Sequence, residues 1–249
     1  MDSAAIAAGV ADFRSAAAFP FERAAGLSVL RATDGAPVEL ASLWRAPLAP
    51  GGGGAPAPAT ATTTLLVFGR NLLRPKTSDG LDLPALAAAH HTRVAVVLPV
   101  PLWAAQRFVR EELGGRALAG ALYCDPGGAA FKALGSFSLK FDTRSTFTSP
   151  HAQTTVAQAT WRGLVLGLRS GTQGDPRQQG GAFVLRASTP AAAEAGAPGG
   201  GLAEECVWAH IDRHNADQVP IPVLLRAAGL PDAVYTHPRP LRIAAAADA

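Results

Sequence analysis

Apolar residues recur along this chain with two spacings, and the alternation of those spacings predicts its elements. Leu27–Arg31 and Pro37–Leu40 flank Asp34-Gly35, a pair suited to a tight turn, and predict a β-hairpin. Thr64–Phe68 and Arg93–Val100 are near-continuous apolar runs, the pattern of strands covered on both faces. Leu86–His91 reads as helical. Pro101 suits a first helical turn, and beyond it Leu102, Ala105, Val109 and Leu113 recur at helical spacing until Gly114-Gly115. Ala119–Cys124 predicts a third strand. It ends at Asp125-Pro126, which caps a short helix through Phe131 and Leu134 to Gly135. A helix over about Thr154–Leu168 follows Ser149-Pro150. Gly181–Leu185 and Cys206–Asp212 predict a long-looped hairpin. In it Cys206, Trp208, His210 and Asp212 share the more exposed face, opposite Val207, Ala209 and Ile211. A last helix, Ile221–Ala228, ends at Gly229.

Elements in this order call for a mostly parallel sheet with helices on both faces. A βαβ half joined to a ββα half is the arrangement of the thioredoxin fold. The expected architecture is therefore α/β: a thioredoxin-like three-layer sandwich with a mixed central sheet and an N-terminal β-hairpin.

Two stretches carry no apolar period, about 46–62 (with Gly51–Gly54) and about 188–203 (with Gly199–Gly201). Neither offers enough apolar surface to offset its ordering entropy, so both read as surface insertions. The Gly51 run is not a phosphate loop, since no Lys-Ser/Thr or helix start follows it. The division expected is an N-terminal extension over 1–25, one domain over 26–230 holding both insertions, and a tail over 231–249.

Composition narrows the function classes. The chain has 249 residues, only 16% of them charged, with 26 glycines and 20 prolines, a mixture unlike coiled coil or collagen. Its formal charge is +3, and the 22 Lys and Arg are scattered singly among few aromatics. A nucleic-acid groove would need clustered cations, so that class is set aside. No apolar stretch approaches the ~20 residues needed to cross a bilayer; Gly163–Leu168 is far too short. The amino terminus carries Asp2, Asp12 and Glu22 and fits neither a secretory signal nor a transit peptide. An intracellular, cytoplasmic monomer is the default expectation, with the plastid as the other compartment considered.

The two cysteines, Cys124 and Cys206, are too few for a disulfide scaffold or a four-thiolate zinc site. Cys124 ends a predicted strand just before a helix cap, at the sheet edge where ligands bind in open α/β folds. Two readings stand for it: a lone nucleophile whose pKa the helix start lowers, or a small residue closing a core strand. His210, His214, Asp212 and Asp217 have metal-ligand chemistry, but no third nitrogen or sulfur ligand accompanies the histidines. No metal or cofactor is expected.

The string Gly174-Asp175-Pro176-Arg177-Gln178-Gln179-Gly180-Gly181 is the strongest conformational signal in the chain. Asp175-Pro176 starts a turn, and Gly180-Gly181 permits close backbone approach before a strand. Together with Ser149-Pro150-His151, Tyr123–Pro126 and His210–Asp217, this string closely resembles the peroxiredoxin-like 2 family, the thioredoxin-like proteins with an alkyl hydroperoxide reductase/thiol-specific antioxidant domain. The resemblance runs from about Leu27 to Leu230 without the insertions. It implies a peroxide- or disulfide-reducing Cys-x-x-Cys after the first central strand, where relatives read approximately Phe-x-Arg-x-x-x-Cys-x-x-Cys. In thioredoxin-like relatives the loop entering the strand equivalent to Gly181–Leu185 faces the active site, so two readings stand for it here: a structural one, shaping the loop against the first helix, and a pocket lined by Arg70, Asp175, Gln178, Gln179, Gly180 and Gly181. Some relatives in photosynthetic organisms are plastid-targeted.

Here the stretch reads Phe68-Gly69-Arg70-Asn71-Leu72-Leu73-Arg74-Pro75-Lys76-Thr77, so Arg74 and Thr77 stand at the dithiol positions. A hydroxyl lacks sulfur's redox ladder, and Thr77 does not replace a thiol. The sequence thus predicts a redox-degenerate member with a binding or scaffolding role, its partner a protein or a small molecule. The rivals are a thiol peroxidase using Cys124 alone, and an interaction module built on the Ala/Gly/Pro insertions.

Overall fold

The computed structural model describes residues 3–12, 14–15, 19–46, 61–69, 90, 92–113, 117–134, 179–188, 202–212 and 219–230. The predicted helices at Leu86–His91 (His90 apart) and Thr154–Leu168, the insertion interiors 47–60 and 189–201, and residues 231–249 lie outside them.

Strands β1 (Ser28–Arg31) and β2 (Pro37–Glu39) form the expected antiparallel hairpin. Gly35 takes φ +76°, and the Asp34 carboxylate accepts the Ala36 amide at 3.0 Å, which locks the turn. The long apolar runs become β3 (Ala61–Phe68) and β4 (Thr92–Leu98), paired in parallel from Thr63↔Thr92 to Phe68↔Val97. A third parallel strand, β5, covers only Leu122–Cys124. The start of the predicted strand, Ala119–Ala121, falls instead in a 3-10 turn over Ala117–Ala121. Its alanines and Gly120 present no branched surface to a neighbouring strand. Strands β6 (Gly181–Ser188) and β7 (Ala203–Ile211) are antiparallel, and β6 pairs antiparallel with β3.

Among the described residues these make one mixed seven-stranded sheet, ordered β2-β1-β5-β4-β3-β6-β7. The α/β class and the mixed sheet match the expectation, but the sheet is not mostly parallel as expected: among the described residues only the β3–β4 and β4–β5 pairings are parallel, and the other four are antiparallel. One face is covered by α2 (Phe21–Ala25), α3 (Ser42–Arg45) and α5 (Ala129–Leu134). The other carries α1 (Ser3–Asp12) and α6 (Ile221–Ala227) over β3, β6 and β7, and α4 (Leu102–Phe108) over β4 and β5. Helix α4 runs on into a π-turn at Val109–Leu113, which keeps Val109 and Leu113 in the same cluster. Helix α6 ends as expected: Gly229 takes φ +76°, while the amides of Gly229 and Leu230 donate to Arg226 and Leu225 carbonyls at 2.9 Å each. Among the described residues no helix is long and apolar enough to cross a membrane.

Two further departures from the sequence reading are instructive. Phe19, within the stretch read as an extension, is buried at the centre of the first face, edge-on to Trp44 and Phe183 at 5.3 and 5.0 Å. The 1–25 segment therefore contributes to the core. On β7 the register steps from Val184↔Trp208 to Leu185↔Cys206, leaving Val207 as the extra residue of a bulge. The bulge breaks the predicted alternation: Cys206 packs with Ala209 and Ile211, while Trp208 packs with Val207 on the opposite face. Trp208, His210 and Asp212 are buried, contrary to the expectation that their face is the exposed one, because α1 and α6 cover that side.

At one end of the sheet the two insertions share an anchorage. The register sets Ala61 beside Ser188 and Ser188 beside Ala203, so the described residues that bound the insertions sit together. The Glu204 carboxylate binds both Nε (2.8 Å) and Nη2 (2.9 Å) of Arg45 and accepts the Trp44 indole N–H, joining the end of α3 to the start of β7. Arg93 closes α3 from below, donating to the carbonyls of Ser42, Leu43 and Ala46 at 3.2, 2.9 and 2.9 Å.

Candidate functional site

The candidate site belongs to the opposite end of the sheet, where β3, β4, β5 and β7 finish and β6 begins. The turn ahead of β6 carries Gln179 and Gly180, and both are buried. A β-carbon on Gly180 would fall inside the contact distance of the Phe68 carbonyl oxygen. The residue must be glycine for this close approach, not for its φ, which is ordinary. Gly181 then pairs with Phe68 and Ile211. The end of β3 is thus clamped by backbone from β6, directly before the stretch that departs from the dithiol pattern. Arg70, Arg74, Thr77, Asp175 and Gln178 lie outside the described residues.

Next to Gly180 stands a buried pair, His210 and Asp212. His210 Nε2 lies 3.4 Å from Asp212 Oδ1, and the imidazole stacks on the Trp208 ring at 6.2 Å. The Asp212 amide donates to the Gly180 carbonyl at 3.0 Å, which ties this pair to the turn. Burial of both side chains makes the pair a fixed internal contact. Among the described residues no group of three or more His, Cys, Asp and Glu could hold a metal ion. His214 and Asp217 lie outside those residues.

Cys124 ends β5 at the same end of the sheet, yet its environment opposes a nucleophilic role. It is fully buried among Ala32, Leu98, Val100 and Leu122. Burial pushes its thiol up to about 11, the reverse of the lowering expected from a helix start. The reason lies next door. Asp125 turns its own carboxylate onto the amides of Ala129, Ala130 and Phe131 at 3.0, 2.8 and 3.3 Å, so those donors are spent on a cap. A thiolate at Cys124 would have neither water nor those amides to stabilise it.

Cys206 is half-buried on the other face, its Sγ 3.6 Å from the Trp208 carbonyl, and burial raises its pKa as well. The two thiols stand four strand steps apart on the sheet. At ~4.8 Å per step that is roughly 19 Å, far beyond the ~7 Å limit for a disulfide. The structure therefore brings Gln179, Gly180 and Gly181 together with the end of β3 and with Asp212, and it leaves both cysteines out of that group. No protein-family model, curated protein or solved structure matches the chain.

Proposed function

We propose that this chain is a thioredoxin-fold, peroxiredoxin-like protein that has lost its dithiol chemistry and works by binding at the retained end of its sheet. The observation that carries this reading is the strand sequence β4-β3-β6-β7, with β3 and β4 parallel and the remaining pairs antiparallel. A βαβ unit followed by a ββα unit gives that order in a thioredoxin-like sheet. The close approach of Gly180 to the end of β3 supports it further, since the Gly-Asp-Pro-x-Gln-Gln-Gly-Gly string is what the family resemblance rests on. Arg74 and Thr77 at the dithiol positions, and two thiols of raised pKa, Cys124 buried and Cys206 half-buried, argue against turnover of peroxide.

Peroxide consumption with dithiothreitol, on wild type and Cys124→Ala, tests the reading. Neither protein should turn over. Turnover that disappears in Cys124→Ala would restore the lone-nucleophile alternative and sink this one.

A second reading, an interaction module built on the Ala/Gly/Pro insertions, draws on the shared anchorage held by Glu204. Pull-downs with and without residues 190–201 test it; partners unchanged on deletion would remove it.

A further inference from the structure

We propose that the N-terminal segment is a clasp on the candidate site, and that lifting it loosens Gly180 and the end of β3. The inference takes the location of the site from the reading above and nothing else from it.

Strand β7 is the last strand of the described sheet, and its outward backbone groups need partners. Ser15 supplies them. Its amide donates to the Ala209 carbonyl at 2.8 Å, and its hydroxyl accepts the Ile211 amide at 3.0 Å. The next residue faces the other way: the Asp212 amide donates to the Gly180 carbonyl at 3.0 Å. Gly180 in turn abuts the Phe68 carbonyl, and Gly69 donates to Val97 at 2.9 Å. An unbroken run of contacts therefore leads from Ser15, through Ile211 at the end of β7 and Asp212 just beyond it, to the end of β3.

The segment is solvated along its outer side. Among residues 7–15 that are described, Ala7, Ala8, Ala11, Asp12 and Arg14 are exposed, and Gly9 alone is fully buried. The Val10 carbonyl accepts the Trp208 indole N–H at 2.9 Å. Apolar packing adds to these hydrogen bonds: Gly9 lies against Val223 of α6, and Val10 joins the cluster of Trp208 and Val223, so clasp and site are expected to open together. Phe19, deep in the aromatic cluster, anchors the chain beyond the clasp.

Amide hydrogen exchange on the full chain tests this in wild type, Ser15→Ala, Ser15→Thr and Ser15→Pro. Ser15→Ala removes the hydroxyl acceptor, and Ser15→Pro removes both that acceptor and the amide donor, while Ser15→Thr keeps both. The expected result is exchange about tenfold faster at Ile211 in Ser15→Pro and about threefold faster at Asp212 and Gly69. Ser15→Ala should give smaller changes at the same amides, with wild-type rates in Ser15→Thr and at Leu66 in mid-β3. Faster exchange at Ile211 with wild-type rates at Asp212 and Gly69 would overturn the proposal, as would no change at Ile211. Should Ser15→Pro raise exchange everywhere through lost stability, the Ser15→Ala pattern decides by the same criteria. The measurement involves no peroxide or thiol, so its outcome and that of the peroxide assay are independent.

Discussion

Gly180 and Phe68 meet backbone to backbone, with no room for a β-carbon between the turn before β6 and the last carbonyl of β3. Gly180→Ala must push two strand ends apart, and we expect it to cost about 2–3 kcal/mol, in the range of overpacking changes. Gly127→Ala, where a β-carbon meets nothing within 4 Å, is the matched control and should be near neutral. Urea midpoints of the two variants check the contrast. Equal midpoints would mean the two backbones are not in contact in solution.

The Glu204 clamp should show in the acid limb of the stability curve. Arg45, and then Trp44, hold its carboxyl below the usual value of 4.5. A depressed folded-state pKa gives stability that is present above the unfolded value and lost as pH falls through the folded one. Glu204→Gln should therefore cost about 1 kcal/mol at neutral pH, because Arg45 is partly exposed and the pair is screened. The difference from wild type should shrink below pH 4.5. Denaturant midpoints from pH 7 down to pH 3 make the comparison.

Arg93 is a structural cation. Its guanidinium spans three carbonyls at the end of α3, and burial lowers its pKa. Arg93→Lys keeps the charge but not the planar fork, and should lose most of what Arg93→Ala loses, about 2 kcal/mol. If lysine retained full stability in thermal melts, charge alone would explain the site.

The sequence foretold those parts of the fold that local chemistry decides. Asp34-Gly35 specified its turn, Gly229 its helix end, and the runs at Thr64–Phe68 and Arg93–Val100 their buried strands. What it could not disclose depends on partners far along the chain. The Val207 bulge reverses the face of Cys206 only because β6 sets the register. Phe19 becomes core only when Trp44 and Phe183 arrive beside it. At the candidate site, Gly180 was legible because only glycine permits so close an approach. The His210–Asp212 pair was misread as exposed because its cover, α1 and α6, comes from the two ends of the described chain.

Thiol accessibility separates the two cysteines. Cys206 is half-buried and should react with a neutral maleimide slowly but measurably in the native state. Cys124 is fully buried and should react only through opening of the β4–β5 region. Denatured protein should label both at once. Native Cys124 labelling as fast as that of a free thiol would contradict the packing around β5.

The Cys124 thiol also makes a prediction at alkaline pH. Its unfolded value near 9.0 rises to about 11 on folding, through burial. Between those values the unfolded chain gives up the proton and the folded chain keeps it, so the folded state binds more protons. Stability then falls as pH rises, since the slope follows protons bound unfolded minus folded. Two pKa units correspond to on the order of 2–3 kcal/mol lost across the window, less whatever the site relaxes to admit water. Tyr123 and Cys206 are raised by burial as well, so wild type alone cannot isolate the effect. Cys124→Ala does: it should be less stable than wild type at pH 8, and the gap should narrow steadily towards pH 11. Urea unfolding of both proteins at half-unit pH steps gives the two curves. Parallel curves would mean that Cys124 ionises as readily in the folded state as in the unfolded, and the nucleophilic reading of Cys124 would then regain its footing.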